Sequence, residues 1–223
     1  MNLRLITSAT LLCLLLVCAA KTISAQNFDI SSGGQPTIAG ALSGSVTGSS
    51  SVLNNLTVTI NFGEISPANV NSLVRVVVPI AIRSNRPYQV SVTIAGLGNA
   101  NLQALQTSDI GFGANNMHAL GANARVCTNS SHIFYSPFGN DPAVTKTIAA
   151  TGRATYQSTL SNISVSTVIL SGPRLTIGNI GTRGTDDGYA FDAIFAITPE
   201  FFAAGSSSAT LTFTISAGPN VPC

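Results

Sequence analysis

Apolar and polar residues alternate along much of this chain, which is the pattern of strands that bury one face. In the segment 56–62, every second residue is leucine, valine, isoleucine or phenylalanine, and the residues between are threonine and asparagine. A period of two places the apolar side chains on one side of an extended strand. The same alternation predicts further strands at Val74–Ile82, Tyr88–Ile94, Ile163–Leu170, Arg174–Ile180, Tyr189–Ile197 and Ala209–Ser216.

Turn signals between these segments indicate the fold class. The polar stretch Ser84–Pro87 separates two of the strands, so we expect a hairpin there. Helix signals are weak, and residues 99–107 and 198–204 are expected to hold a turn or two each. Many short strands joined by turns are typical of sandwiches and barrels. The predicted fold is an all-β, antiparallel, immunoglobulin-like or pilin-like β-sandwich with one disulfide bond.

The first 25 residues have the features of a secretion leader. Arg4 precedes the short apolar run Leu11–Ala20, and Ile23–Ala25 provides a small-residue cleavage site. A membrane-spanning helix needs about 20 apolar residues, so we expect no span. Lipid attachment at Cys18 is the alternative. We expect a leader at residues 1–25, an N-terminal arm and Gly/Ser-rich linker at residues 26–51, and a sandwich domain at residues 52–223.

Removal of the leader leaves a chain with few charges and none in excess. Arg4 and Lys21 are two of the ten basic residues, and all eight acidic residues follow the leader. Nucleic-acid binding needs basic residues in excess to neutralise phosphates, so that class is excluded. Charged residues are only 8% of the chain, against about 25% in typical domains. A surface so poor in charge suits a protein that packs against copies of itself or other surface subunits.

Two cysteines remain after the leader, Cys127 and Cys223. In an oxidising compartment two cysteines most simply form one disulfide bond. Because Cys223 is the last residue of the chain, the bond would fasten the C-terminus to its middle. The alternative is two free or intermolecular thiols.

The chain contains no recognisable catalytic constellation, so we expect a non-enzymatic protein without a cofactor. His118 and His132 are its two histidines, and no Gly-x-Ser-x-Gly nucleophile elbow accompanies them. One thiol with two histidines is a poor zinc site. Asp186 and Asp187 offer carboxylates to calcium, but a full calcium site needs six to eight oxygen ligands, so we favour a solvated turn that leads into the strand at Tyr189.

The N-terminal arm has alternating apolar and glycine positions, namely Ile38, Gly40, Leu42, Gly44 and Val46. An extended arm of this kind is a candidate donor strand that completes the sheet of a neighbouring copy. The alternative is an ordinary first strand of the same molecule.

Sugar binding is the second function that the sequence allows. Flat aromatic rings stack on sugar faces, but the chain has no tryptophan. Tyr135 and Phe138, in the loop around Pro137, are the aromatic residues we select as a candidate glycan or ligand site.

The segment from Ala203 to Ile215 resembles the closing hairpin of bacterial pilin-like secreted sandwiches, including the spore coat protein U and fimbrial subunit families. Val78–Val92 resembles their early hairpin. The resemblance implies a subunit exported through the bacterial inner membrane and assembled at the surface by donor-strand exchange. The chain differs from that pattern in its length and in the position of its cysteines. We therefore expect a secreted or cell-surface structural or adhesive subunit, or alternatively a secreted module that binds carbohydrate or another ligand.

Overall fold

A computed structural model describes residues 27–40, 44–52, 54–65, 73–99, 105–120, 127, 129–150, 154–176, 180, 188–198 and 205–223. Its strands pair antiparallel throughout and form two main sheets, which confirms the predicted all-β class. The leader with Cys18 and the acidic pair Asp186 and Asp187 lie outside the described residues.

The described strands follow the alternating pattern of the sequence. In chain order they are β1 (Phe28–Ser32), β2 (Thr37–Ala39), β3 (Ser45–Val52), β4 (Asn55–Ile65), β5 (Val74–Ser84), β6 (Tyr88–Asn99), β7 (Gly111–Ala119), β8 (Ile133–Phe134), β9 (Thr147–Ile148), β10 (Ala154–Thr155), β11 (Thr167–Gly172), β12 (Tyr189–Ile197) and β13 (Gly205–Ala217). Among the described residues, the helical elements are α1 (Pro142–Thr145) and 3-10 turns at Thr107–Asp109, Asn129–Ser131 and Leu160–Asn162.

The strands divide between a five-stranded and a six-stranded sheet. The five-stranded sheet has the order β1, β5, β12, β7, with β2 also paired to β5. The six-stranded sheet has the order β3, β4, β13, β6, β11, β8, and β9 pairs only with β10. In both sheets, strands that are distant in sequence lie side by side.

The hairpin predicted at Ser84–Pro87 is wrong. β5 pairs with β1, β2 and β12 in one sheet, whereas β6 pairs with β13 and β11 in the other. The turn therefore carries the chain from one layer of the sandwich to the other. The apolar faces of both strands point into the same core from opposite sides, and an alternating sequence pattern does not distinguish that arrangement from a hairpin.

The core fills the space between the two sheets. Ile80, Val92 and Phe213 are among its fully buried residues. Phe195 packs against Phe112 with ring centroids 5.2 Å apart and against Phe62 at 6.5 Å. These are ordinary separations for buried aromatic pairs.

Two segments predicted as strands differ in the structure. Residues 174–176 are not a strand, and the N–H groups of Leu175 and Thr176 both donate to the Ser84 carbonyl. β11 begins at Thr167, because Ile163 closes a 3-10 turn by donating to Leu160. The expected helical turn after Thr198 lies outside the described residues.

The predicted disulfide between Cys127 and Cys223 is confirmed. Their Cα atoms are 5.1 Å apart, and the residues are 96 positions apart in sequence. The Tyr189 hydroxyl donates to the Cys127 carbonyl, and the Gly218 N–H donates to the Pro87 carbonyl. The C-terminal tail is thus fastened beside the turn that joins the two sheets.

Candidate functional site

The two aromatic residues selected for ligand binding have different environments. Phe138 is buried, with its ring 5.7 Å from that of Phe112, so it belongs to the core. Tyr135 is 37% exposed, and its hydroxyl lies 3.1 Å from the Ser171 Oγ. Of this pair, only Tyr135 is accessible to a ligand.

The candidate donor arm is built into both sheets of its own molecule. Ile38 lies in β2 opposite Val76, and Val46 lies in β3 opposite Ile60. Between them Gly40 has φ +80°, and a Cβ there would stand 1.9 Å from the Leu73 carbonyl oxygen, so the chain turns at a position that requires glycine. Leu42 lies outside the described residues, and Gly44 directly precedes β3.

This placement agrees with the alternative that the arm forms ordinary strands. Residues 28–52, assigned from the sequence to an arm and a linker, contribute β1, β2 and β3 to the sandwich. The described sandwich therefore begins at Phe28, not at residue 52.

The histidines lie in separate surroundings. His118 is on β7, with its Nδ1 2.8 Å from the Asn116 carbonyl oxygen. His132 packs between Tyr88 and Tyr189, with ring centroids 6.0 and 4.8 Å away. Burial raises the pKa of the Tyr88 hydroxyl well above its usual value, and the nearby Tyr189 adds to the effect. We attribute a packing role to this aromatic cluster.

The described part of the chain lacks two further kinds of feature, a cluster of metal ligands and a membrane-spanning helix. Its His, Cys, Asp and Glu side chains form no group of three or more that could hold a metal ion. Nor does it contain a helix that is long and apolar enough to cross a membrane.

The outer side of the six-stranded sheet is the most distinctive surface of the described structure. Strands β4, β6 and β13 each alternate buried apolar residues with short polar ones that point away from the core. We call this surface the hydroxyl face, and it consists of Asn55, Thr57, Thr59, Asn61, Gln89, Thr93, Ser208, Thr210, Thr212, Thr214 and Ser216.

Cross-strand hydrogen bonds order the hydroxyl face. The Thr57 and Thr212 hydroxyls are 3.2 Å apart, and those of Thr59 and Thr210 are 2.9 Å apart. The Thr214 hydroxyl donates to the Asn55 Oδ1 at 2.7 Å. Cross-strand polar pairs of this kind each contribute about 0.2 to 1 kcal/mol. Because a hydroxyl has one donor and two acceptor positions, each pair keeps further hydrogen-bonding capacity.

The sheet that carries this face is nearly free of charge. Within its six strands, Glu64 near the end of β4 is the single charged residue. At the β8 side, Tyr135 and Ile133 extend the surface with partly exposed apolar groups, and Ile133 is 47% exposed. The result is a neutral hydroxyl and amide surface with an aromatic group on one side.

The other sheet has its outer face covered. On β12 the outward-facing residues Ala190, Ile194 and Ala196 are buried. A Cβ on Gly113 would stand 2.1 Å from the Asn140 carbonyl oxygen, which shows how closely the loop before α1 packs on the sheet. In the described part of the chain, the hydroxyl face is thus partly exposed, whereas the outer face of the five-stranded sheet around β12 is buried.

At one end of the covered face a buried arginine meets a carboxylate. Arg83 is 4% exposed and donates to the Ile180 carbonyl at 3.1 Å. Its strand partner Asp29 is partly buried, and that burial raises the carboxyl pKa while the Arg83 charge lowers it, with a net increase. At the other end Arg75 forms an ion pair of 2.6 Å with Asp141, whose Oδ1 also caps α1.

Comparison with known proteins found no matching family model, no matching curated protein and no matching solved structure.

The sequence contained the signal for the hydroxyl face, although we did not select it there. The segment Ala209–Ser216 alternates threonine and serine with apolar residues, and the polar half of that pattern is the face. The sequence did not predict that β4, β13 and β6 lie side by side. This arrangement joins the polar residues of the three strands into one surface.

Proposed function

We propose that this chain is an exported, non-enzymatic structural or adhesive subunit of the bacterial cell surface, which acts by associating with copies of itself. The observation that carries the proposal is the partly exposed, nearly charge-free hydroxyl face of the described structure, on the side of the sandwich opposite the covered face of β12. Charged residues are depleted in the cores of protein interfaces. Two identical neutral faces do not repel each other, and hydroxyl and amide groups act as both donors and acceptors.

Further features support this role. The leader-like first 25 residues suit export, and the Cys127–Cys223 bond suits an oxidising compartment. The resemblance to pilin-like secreted sandwiches implies the same kind of role.

Surface labelling and crosslinking of intact bacteria test the proposal. Cells that produce the full chain are treated with an antibody against the purified protein and with formaldehyde, which also links side chains other than lysine, since Lys146 is the single lysine after residue 25. We expect labelling of intact cells and a ladder of multiples of the subunit mass. A protein that is found only as a monomer inside the cell would contradict the proposal.

A second function, binding of neutral carbohydrate, is favoured by one observation. Tyr135 is partly exposed, and its hydroxyl contacts Ser171 on the six-stranded sheet. An aromatic ring beside hydroxyl groups is the usual composition of a sugar site.

A glycan array with two variants of one residue tests this alternative. We expect Tyr135→Ala to abolish a specific signal, because the ring is lost, and Tyr135→Phe to keep most of it. Phe138 is not suitable for this test, since its buried ring supports the core. The absence of any specific glycan signal with the unmodified protein would remove this alternative.

A further inference from the structure

We infer that β3 is the edge through which two copies of this chain join, strand against strand and antiparallel. The inference rests on the proposed function and adds the position of the contact. It comes from a comparison of the four edges of the two main sheets in the described structure. An exposed edge strand has unpaired N–H and C=O groups, and most proteins protect such edges with charge, proline, shortness or a covering loop.

One edge of the five-stranded sheet is covered by a loop. The N–H groups of Phe112 and Ala114 on β7 donate to the carbonyl oxygens of Ser158 and Phe138, at 3.0 and 2.8 Å. The Leu160 N–H, at the start of a 3-10 turn, donates to the Ile110 carbonyl, so the covered part of the edge extends to this residue. These backbone groups are occupied and cannot pair with another chain.

The opposite edge of that sheet is broken and charged. β1 and β2 pair with separate parts of β5, and Gly33, Gly34 and Pro36 lie in the interval between them. β1 carries Asp29, and β2 has only three residues. Interruption, proline and charge are all devices that prevent edge pairing.

The six-stranded sheet has one short edge and one long edge. β8 at one side has two residues, whereas β3 at the other has eight. β3 has the sequence Ser-Val-Thr-Gly-Ser-Ser-Ser-Val, without charge or proline. It pairs with β4 on one side, and no described strand pairs with its other side. Of the four edges, β3 alone is long and has neither charge, proline nor a described cover.

The regular part of β3 indicates where the two copies meet. Ser45 to Gly48 pair in continuous register with Asn61 to Val58, and the register shifts between Gly48 and Ser51. The shift locally twists the strand, so the four residues before it form the flatter edge.

A second copy is the partner that this edge fits best. β3 has no charge, so two copies of it bring no like charges together, and an antiparallel pair of identical strands has two-fold symmetry. Such a pair would extend the sheet across both molecules and place the two hydroxyl faces side by side. The proposed β3–β3 contact and the proposed function thus both depend on the six-stranded sheet.

Added lysines test the joint, since lysine is a common means of blocking edge strands. In Ser45→Lys with Thr47→Lys, the new charges stand at the register positions beside Asn61 and Thr59. The matched control is Val144→Lys with Val165→Lys, which adds the same charge at sites that are 77% and 92% exposed. Circular dichroism and thermal unfolding establish that each variant is folded.

Light scattering during size exclusion gives the mass of each protein. We expect the unmodified protein and the control to elute as dimers or larger assemblies, and the β3 variant to weaken association by about tenfold or more. If the unmodified protein stays monomeric at every concentration, the proposed function is overturned. A folded β3 variant that associates as strongly as the unmodified protein would overturn the β3 joint alone.

Single cysteines provide a test that does not depend on disrupting the joint. If two copies pair antiparallel with two-fold symmetry, a cysteine introduced at position 46 or 47 is expected to form a disulfide with the same cysteine of the second copy. A cysteine at position 165 is expected to form no such bond. Equal crosslinking at these positions, or none at β3 in an associated protein, would also overturn the inference. Association of β3 with an extended peptide from another protein instead would appear as a complex of mixed composition and count against it.

Discussion

The disulfide between Cys127 and Cys223 is expected to supply a large part of the stability of this protein. The two residues are 96 positions apart, and the bond restricts a loop of that length in the unfolded chain. In the chain-entropy model a loop of about 100 residues corresponds to about 4.7 kcal/mol at 25 °C. Domains are typically stable by about 5 to 15 kcal/mol, so the loss of the bond would remove a third or more of that total.

Urea denaturation of the double variant Cys127→Ala with Cys223→Ala measures this contribution. The contacts of the Cys127 carbonyl with Tyr189 and of Gly218 with Pro87 do not involve the sulfur atoms and are expected to persist. We expect the unfolding free energy to fall by about 4 to 5 kcal/mol. Unmodified protein kept under reducing conditions is the control and should lose a similar amount.

Two results would refute this reasoning. A loss below about 1 kcal/mol would mean that the closed loop contributes little, contrary to the chain-entropy estimate. Two thiols that react with a labelling reagent in the native, unreduced protein would mean that the bond is not formed.

Three further predictions concern the core, the covered face and the edge carboxylate. Phe213→Ala, at a fully buried position, is expected to lower the unfolding free energy by about 3 to 5 kcal/mol, whereas Thr212→Ala should change it by only about 0.5 kcal/mol in urea denaturation. Gly113→Ala places a Cβ 2.1 Å from a carbonyl oxygen of the covering loop and should cost about 1 to 3 kcal/mol; a melting temperature equal to that of the unmodified protein would disprove the close contact. Burial raises the pKa of the Asp29 carboxyl above 3.8, and this effect exceeds the lowering by the Arg83 charge. The folded state therefore binds this proton more tightly than the unfolded chain does, and the free energy of unfolding falls as the pH rises from about 3 to about 7. Asp29→Asn should therefore gain stability relative to the unmodified protein as the pH of urea titrations is raised from about 3 to about 7, and a constant difference would contradict the shift.

The sequence predicted strands where one face is buried, because the alternation of apolar and polar residues is a local property. The segments 56–62 and 209–216 lie within β4 and β13 as predicted. Strand partners were not predictable in the same way. Ser84–Pro87 has the polar character of a hairpin turn, yet it joins two sheets, since the alternating pattern gives the buried face of a strand and not its neighbour.

The candidate sites show the same limit. Phe138 and Tyr135 are three positions apart in a polar loop, and only the fold places one in the core and the other at the surface. The donor arm was predicted as one extended segment, but Gly40 turns it from one sheet toward the other. The loop over β7 was also not predictable, since its contacts join residues more than 20 positions apart in sequence.

Hydrogen exchange at two protein concentrations tests the central claim most directly, namely that copies of this chain associate through the β3 edge of the six-stranded sheet. The full chain is expressed with its leader, purified and exchanged at low and at high concentration. We predict that the amides of Ser45–Gly48 exchange more slowly at high concentration, while those of the short edge strand β8 are unchanged. Identical exchange of β3 at both concentrations, in a protein whose mass shows association, would contradict the claim.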